Sequence, residues 1–372
     1  MTKFPKLSTP ETGLGPHTLT ATHASSSAAL ATRQLPRTGQ ALTTLGMGCA
    51  PLGSWYKRVS DADARAAVHA AWDAGVRLFD TAPFYGYTLS EHRLGEAMRD
   101  RPRDEWMLST KVGRMMRPIK ALRDPGTPLV NDWIDPLPFE PVFDYSAAAL
   151  RRSIEDSLQR LGVQHIDIAL IHDIGVFTHA QLHATYWQQL TAGGGFREME
   201  AMRREGLIGA IGLGVNEWQV ILDAMQHTDL DCCLLACRYT LLEQGSLSPF
   251  LEECVKRQVG VIVGGPFNSG VLVSGPVKGA LCNYAPADDS VLARASRLQQ
   301  VCAEFGVPLA AAALQFPLAH PAVVSCIPGA RDAAELQQIA AWLRHEIPAG
   351  LWAALRALGL IDPAAPLPDE AR

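Results

Sequence analysis

Four residues able to hold, donate or accept a proton stand where short apolar runs give way to loop residues. They are Asp80 after Leu78-Phe79, Tyr85 in Phe84-Tyr85-Gly86, Lys111 after Ser109-Thr110, and His172 after Leu170-Ile171. A tyrosine phenol, with an ordinary pKa near ~10, exchanges protons at neutral pH only if a cation or hydrogen bonds stabilise its phenolate. Lys111 can supply the cation, and Asp80 can hold that ammonium in place and keep it charged. His172 can donate or accept a hydrogen bond on the other side of the phenol. Together they make a tyrosine acid/base poised against a carbonyl or hydroxyl oxygen. Proton transfer alone moves no hydride, so a nicotinamide cofactor needs separate grounds.

The four groups converge on one mouth if their strands run parallel and close into a barrel, because that fold builds its site from the C-terminal ends of its strands. Short apolar runs alternate with longer amphipathic ones, as in successive βαβ units. Strands are expected at 44–48, 76–80, 106–111, 166–172, 208–214, 232–237, 259–264 and 323–328. Helices are expected at 61–74, where Ser60 can cap, and at 146–161, closed by Gly162, with others near 90–100, 193–205, 217–227, 247–258, 289–305, 308–319, 332–345 and 349–358. This order predicts a (β/α)8 TIM barrel. A doubly wound dinucleotide fold is the alternative, but Gly46-Met47-Gly48-Cys49-Ala50-Pro51 lacks the third glycine of its fingerprint.

Residues 1–32 are rich in Ser, Thr, Ala and Pro and read as a flexible tail, leaving 33–372 as one barrel domain. Two connections exceed what helix packing needs, 113–143 and 266–290, and both should overhang the mouth. Charge is mixed along the chain and nets -5, so no basic patch points to nucleic acid. The eight cysteines form no C-x-x-C pair, and buried free thiols in a reducing compartment are expected rather than a metal site. No apolar stretch reaches the ~18 residues of a membrane span, and the N-terminus lacks a signal-peptide pattern, so a cytoplasmic location is expected.

The strings Leu78-Phe79-Asp80-Thr81-Ala82-Pro83-Phe84-Tyr85-Gly86, Ser90-Glu91-His92-Arg93-Leu94-Gly95, Leu108-Ser109-Thr110-Lys111-Val112-Gly113 and Leu170-Ile171-His172-Asp173 resemble the aldo-keto reductase superfamily in order and local context. The resemblance runs from about Arg33 to Leu358 and implies an Asp, Tyr, Lys, His catalytic tetrad on a barrel, with NAD or NADP extended across the mouth. It places the nicotinamide carboxamide at Val215 and Asn216. It places the pyrophosphate and adenosine clamps at Pro266, Phe267, Asn268, Ser269 and Gly270, and at Pro328, Gly329, Ala330 and Arg331 with Gln337 and Gln338 in the following helix. A loop opening a helix at Asp332 would present free N–H groups to an anion.

The chain also departs from its relatives. Ala236 replaces a common glutamine, and the stretch after the seventh strand lacks the tyrosine that many relatives stack on the nicotinamide, which makes Phe267 or Tyr239 the expected replacement. Glu335 stands where many relatives carry a base for a 2′-phosphate. NAD is therefore favoured, although Arg331 could still bind a phosphate.

These departures, with His172 to His179 and Arg238-Tyr239-Thr240-Leu241-Leu242, resemble the branch of L-fucose or D-threo-aldose 1-dehydrogenases, near plant L-galactose dehydrogenase and pyridoxal 4-dehydrogenase. The implied reaction oxidises a sugar at C1 to the lactone, with Tyr85 as acid/base. Trp55, Tyr56, Tyr87, Trp133 and His179 are the expected substrate contacts. Alternatives are pyridoxal as substrate, general carbonyl reduction, or a cofactor-binding regulatory module like potassium-channel β subunits.

Overall fold

The computed structural model describes residues 29–120 and 130–368. Eight parallel strands follow one another around the sheet: β1 (Met47–Gly48), β2 (Leu78–Asp80), β3 (Met107–Val112), β4 (Ile166–His172), β5 (Ile208–Val215), β6 (Cys232–Ala236), β7 (Gly260–Gly264) and β8 (Val323–Ile327). Single bridges from Leu45 to Cys326 and from Gly48 to Gly329 join the two ends. The result is a (β/α)8 barrel.

Inward-facing Leu78, Ile168, Leu170, Ala210, Cys232, Leu234, Ile262, Val324 and Ile327 fill its axis, and a separate apolar layer lies between strands and helices. An N-terminal hairpin, Thr32–Gln34 with Ala41–Thr43, closes the floor and adds fully buried Leu35 and Leu42 to the axial cluster. That hairpin was not expected. Leu30 already packs on the core, so ordered chain begins inside the stretch read as a tail, and residues 1–28 of that stretch lie outside the described residues.

Local capping follows the sequence. Ser60 accepts from Asp63 N at the start of helix Asp61–Asp73, Ser146 caps helix Ala147–Leu161, and Gly162 closes the latter with a φ of 68°. The helix expected over 308–319 stops at Gln315 and continues as a 3-10 turn, Phe316–Ala319, because Pro317 has no N–H for an α-helical bond. Both long connections form ribbons. Arg114–Pro118 pairs with Phe139–Phe143, and Leu281–Cys282 pairs with Ala285–Pro286. Among the described residues no single helix is long and apolar enough to cross a membrane.

The loop carrying Tyr85 is held by backbone contact. A Cβ on Gly53 would lie 2.5 Å from Gly86 N, and one on Gly86, whose φ is 63°, would lie 2.6 Å from Gly53 O. Only two glycines let the connection after β1 touch the connection after β2 this closely. Arg93 reinforces the contact by donating to Leu52 O and Val59 O. The Gly53→Ala variant is expected to cost about 1–3 kcal/mol in stability, read by urea denaturation. By displacing Tyr85 it should also lower kcat about tenfold or more. Unchanged kcat would show that this contact does not set the tyrosine's position.

Candidate active site

Strand register brings the tetrad together. Asp80 on β2 pairs with Ser109 on β3, and Lys111 points along the same mouth two residues later. The Lys111 Nζ donates to Asp80 Oδ2 at 2.6 Å and to Thr81 O at 2.9 Å, while Ser109 Oγ donates to Asp80 Oδ1 at 2.8 Å. Both charged side chains are buried. Gly214 on β5 leaves room for the lysine stem, since a Cβ there would lie 3.2 Å from Lys111 Cε. Burial opposes both charges and pushes the Asp80 carboxyl up, against the pull of Lys111. The lysine ammonium nevertheless stays above its ordinary range, because Asp80 and Tyr85 outweigh its own desolvation.

The ammonium lies 4.6 Å from the centre of the Tyr85 ring, and the His172 ring meets Tyr85 edge-on at 6.1 Å between centroids. Burial raises the Tyr85 phenol above its ordinary value, and the Lys111 charge offsets that only in part. The imidazole is held well below its ordinary pKa by burial and by the charges of Arg114 and Lys111. The neutral imidazole is therefore the favoured form of His172, beside the Tyr85 ring.

A second charged pair borders His172. Asp173, with a φ of 48°, binds Arg114, and its Oδ2 lies 3.5 Å from His172 Nε2. The Arg114 guanidinium lies 4.1 Å above the Phe84 ring, and the Tyr145 hydroxyl donates to His172 O at 2.7 Å. Behind the mouth, buried Glu91 accepts from Thr110 Oγ1 and Arg160 Nε, tying the helix after Tyr85 to the strand bearing Lys111. This bracing accounts for the Ser90-Glu91 motif.

An aromatic arc rims the site. Trp133 lies 5.8 Å from Tyr85 and 5.9 Å from Trp55 between ring centroids, and Trp55 stacks on Tyr56 at 4.9 Å. Trp55, Tyr56 and Trp133 thus gather beside Tyr85. Two other expected substrate contacts do not. Tyr87 is buried behind Phe84 and accepts from Asn131 Nδ2, and His179 is buried among Phe143, Tyr145 and Tyr186 with Nε2 2.9 Å from the Tyr145 hydroxyl. Both satisfy structure rather than face the mouth.

The expected cofactor positions divide in the same way. Asn216 directly follows β5, beside buried Val215, and borders a cleft of about 370 Å³ that includes Phe177, Trp218 and Arg238. Pro266 is buried, Ser269 Oγ accepts from Tyr284 N, and Gly270, with a φ of 104°, faces open space where a Cβ would meet nothing within 4 Å. Phe267 packs edge-on against Trp342. Pro328 is buried, Gly329 is exposed, Ala330 is buried, and Gln337 and Gln338 are exposed on helix Ala333–Arg344.

Three expectations need correction. Tyr239 is fully buried against Phe316 and His320, so its face is not offered to a nicotinamide. Asn268 is a buried peg bonded to Thr240, Cys237 O and Asn283, which leaves it no free donor for a phosphate. The start of helix Ala333–Arg344 is not an open anion site either: Asp332 accepts from Glu335 N, while Glu335 accepts from Arg331 N and binds its guanidinium.

Tyr284, Arg114 and Asp173 are the site residues that sequence reasoning did not single out. Tyr284 lies 5.4 Å from Trp55 between ring centroids, and its hydroxyl accepts from Asn216 Nδ2 at 3.1 Å. The only hint was an Asn-Tyr pair inside a connection too long for helix packing. The residues present fit a nicotinamide dinucleotide at this mouth: the Asn216 amide directly follows β5 and is turned to Tyr284 beside Trp55, and the turn at Gly270 is open. Among the described residues no group of three His, Cys, Asp or Glu side chains could hold a metal, and all eight cysteines are buried free thiols.

Tyr85→Phe is expected to lower kcat about 10²- to 10⁴-fold while leaving cofactor affinity nearly intact. Lys111→Met removes the charge that draws the phenol down, so the rising alkaline limb of kcat/KM for oxidation should move to higher pH by about one unit or more. It also strands Asp80, costing about 3–5 kcal/mol at neutral pH. Because burial leaves that carboxyl a better proton holder folded than unfolded, the variant's stability should fall as pH rises past the ordinary carboxylate range. Urea midpoints across pH check the sign.

The aldo/keto reductase family profile matches residues 44–359. The chain is 47% identical to pyridoxal 4-dehydrogenase of Microbacterium luteolum, over 89% of this chain and 98% of that one. It is 38% identical to D-threo-aldose 1-dehydrogenase of a Pseudomonas species, over 87% and 96%. It is 29% identical to L-galactose dehydrogenase of Arabidopsis thaliana, over 82% and 86%. A holo aldo-keto reductase of Bacillus halodurans superimposes with a TM-score of 0.69 at 21% identity, covering 92% of this chain and all of the other, and shares the fold. A barrel whose mouth joins Asp80, Tyr85, Lys111 and His172, matched by this profile over most of its length, belongs to the aldo/keto reductase family and is an NAD(P)-dependent oxidoreductase acting on CH–OH groups.

Proposed function

We propose that this protein oxidises the hemiacetal carbon of a cyclic aldehyde to a lactone with NAD, an aldose of the L-fucose or D-threo type being the first substrate class. The observation that carries this reading is the placement of Tyr85, with the Lys111 ammonium on one side and the Trp133–Trp55–Tyr56 arc on the other. Aromatic faces suit the C–H faces of a ring substrate. Tyr85 Oη takes the proton of the hemiacetal hydroxyl, Lys111 and His172 stabilise the resulting oxygen charge, and Asp80 keeps Lys111 charged and aimed. A bound nicotinamide would supply the acceptor for the hydride on that carbon, so the products would be the lactone, the reduced cofactor and one proton.

Asn216 would hold the carboxamide end of the cofactor, with the turn around Gly270 and the stretch Pro328–Arg331 along the rest. Preference for NAD rests on Glu335. Its carboxylate already engages Arg331 through three donors, the backbone N, Nε and Nη2, so a 2′-phosphate would compete for that guanidinium and sit beside a like charge.

Pyridoxal is the second reading, favoured by the 47% identity and by the flat aromatic rim. An aldose and pyridoxal both carry a hydroxyl able to close on the aldehyde, so both present a cyclic hemiacetal to the same tyrosine. The test incubates the protein with NAD or NADP against L-fucose, D-arabinose, L-galactose and pyridoxal, following reduced cofactor and lactone. Sugar-dependent NADH with lactone product is expected. Turnover of pyridoxal alone would select the second reading, and activity confined to carbonyl reduction would overturn both. Glu335→Gln should shift the NADP/NAD ratio of kcat/KM toward NADP by about fivefold to tenfold.

A further inference from the structure

The connection after β7 ends in a hairpin whose register, Leu281 to Pro286 and Cys282 to Ala285, leaves a two-residue turn at Asn283-Tyr284. Both turn residues are left-handed, with φ of 50° and 70°. Such turns favour Asn followed by Gly, and a bulky residue at the second position is strained. Asn283 suits its place; Tyr284 does not. The strain is sustained by bonds from outside the hairpin. Tyr284 N donates to Ser269 Oγ at 2.9 Å, Asn268 Nδ2 donates to Asn283 Oδ1 at 3.0 Å, and Asn283 Nδ2 donates to Glu243 Oε1 at 2.8 Å. A strained position held this firmly is kept for what its side chain does.

That side chain reaches the mouth. The Tyr284 ring lies 5.4 Å from Trp55, and its oxygen accepts from Asn216 Nδ2 at 3.1 Å and from Cys237 Sγ at 3.7 Å. The remaining contact of the Asn216 amide nitrogen is a long one, 3.5 Å to Ala236 O. The phenol oxygen is thus the principal acceptor for the donor expected to receive a carboxamide oxygen.

We propose that Tyr284 is a resident surrogate for the nicotinamide carboxamide, a positioning residue that keeps Asn216 oriented before the cofactor binds and sets the affinity of the nicotinamide end by competing for the same donor. This rests on the reading of Asn216 given above. The competition is local: it concerns the carboxamide alone, so the adenosine and pyrophosphate contacts should not register it. Affinity at that end is then the difference between two hydrogen bonds of similar kind, and removing the internal one should strengthen binding.

The experiment compares NAD with ADP-ribose, which lacks the nicotinamide, by titration calorimetry on the full chain and on Tyr284→Phe. The variant retains the ring against Trp55 and deletes only the acceptor. Its NAD Kd is expected to fall about threefold to tenfold, the worth of one neutral hydrogen bond, with the ADP-ribose Kd unchanged. An unchanged or weaker NAD Kd overturns the proposal, as does an equal gain for both ligands, which would make the hairpin a general strap. A parent protein that binds neither NAD nor NADP overturns the cofactor reading itself, an outcome distinct from parent and variant binding NAD alike. Tyr284→Gly, which suits the turn, guards against misfolding: it should also leave ADP-ribose affinity unchanged, and a loss there overturns the claim that the effect is local.

Discussion

The buried ion pair between Lys111 and Asp80 is the interaction on which the site depends. Two charges inside a barrel are tolerated only when each meets the other and further hydrogen bonds satisfy what remains. Here Ser109, Thr81 O and the space left by Gly214 meet that requirement. The pair spans β2 and β3, so the same contact that makes the lysine tolerable also fixes where its charge stands. Moving either strand by one residue would turn one partner toward the helices. The tyrosine then needs only to be brought to that charge, which the glycine contact between the first two connections does.

Charge is balanced across the whole mouth. Lys111 and Arg114 face Asp80 and Asp173, and His172, held neutral between them, adds none. The Tyr85 ring stands against this set, with the Lys111 ammonium 4.6 Å from its centre. In the proposed reaction, a site balanced in this way would confine the developing charge to the phenol and the substrate oxygen, where the fixed ammonium would act on it at short range.

The barrel, and the gathering of Asp80, Tyr85, Lys111 and His172 at its mouth, were legible in the sequence because they obey its simplest rules. Strands of two to eight residues alternate with helices, Asp80 and His172 end their strands, and Lys111 stands one residue before the end of its own. The rim was harder. Tyr239 and His179 sit in loops near strand ends just as Tyr85 does, yet their rings turn into the helix layer, and nothing in one-dimensional spacing separates the two directions. Asn268 was legible as a polar loop residue, but its bonds to Thr240 and Asn283 depend on two connections meeting in space. Tyr284 and Arg114 belong to ribbons inside long connections, and no hydrophobic period announces a hairpin of two residues per strand. Glu335 could be read as an acid where relatives carry a base; that its N–H meets the capping Asp332 and its carboxylate holds Arg331 needed the geometry of that turn.

The seam of the barrel carries a further meaning. A Cβ on Gly329 would lie 2.7 Å from Pro51 Cγ, so the connection after β8 touches the one leading to Trp55 without an intervening side chain. The connections after the first and last barrel strands thus meet in one wall, with the stretch proposed to lie along the cofactor on one half and the aromatic rim on the other. A substitution that moves one half therefore presses on the other, and a loop transplanted from a relative should keep its effect only when both halves of the wall travel with it.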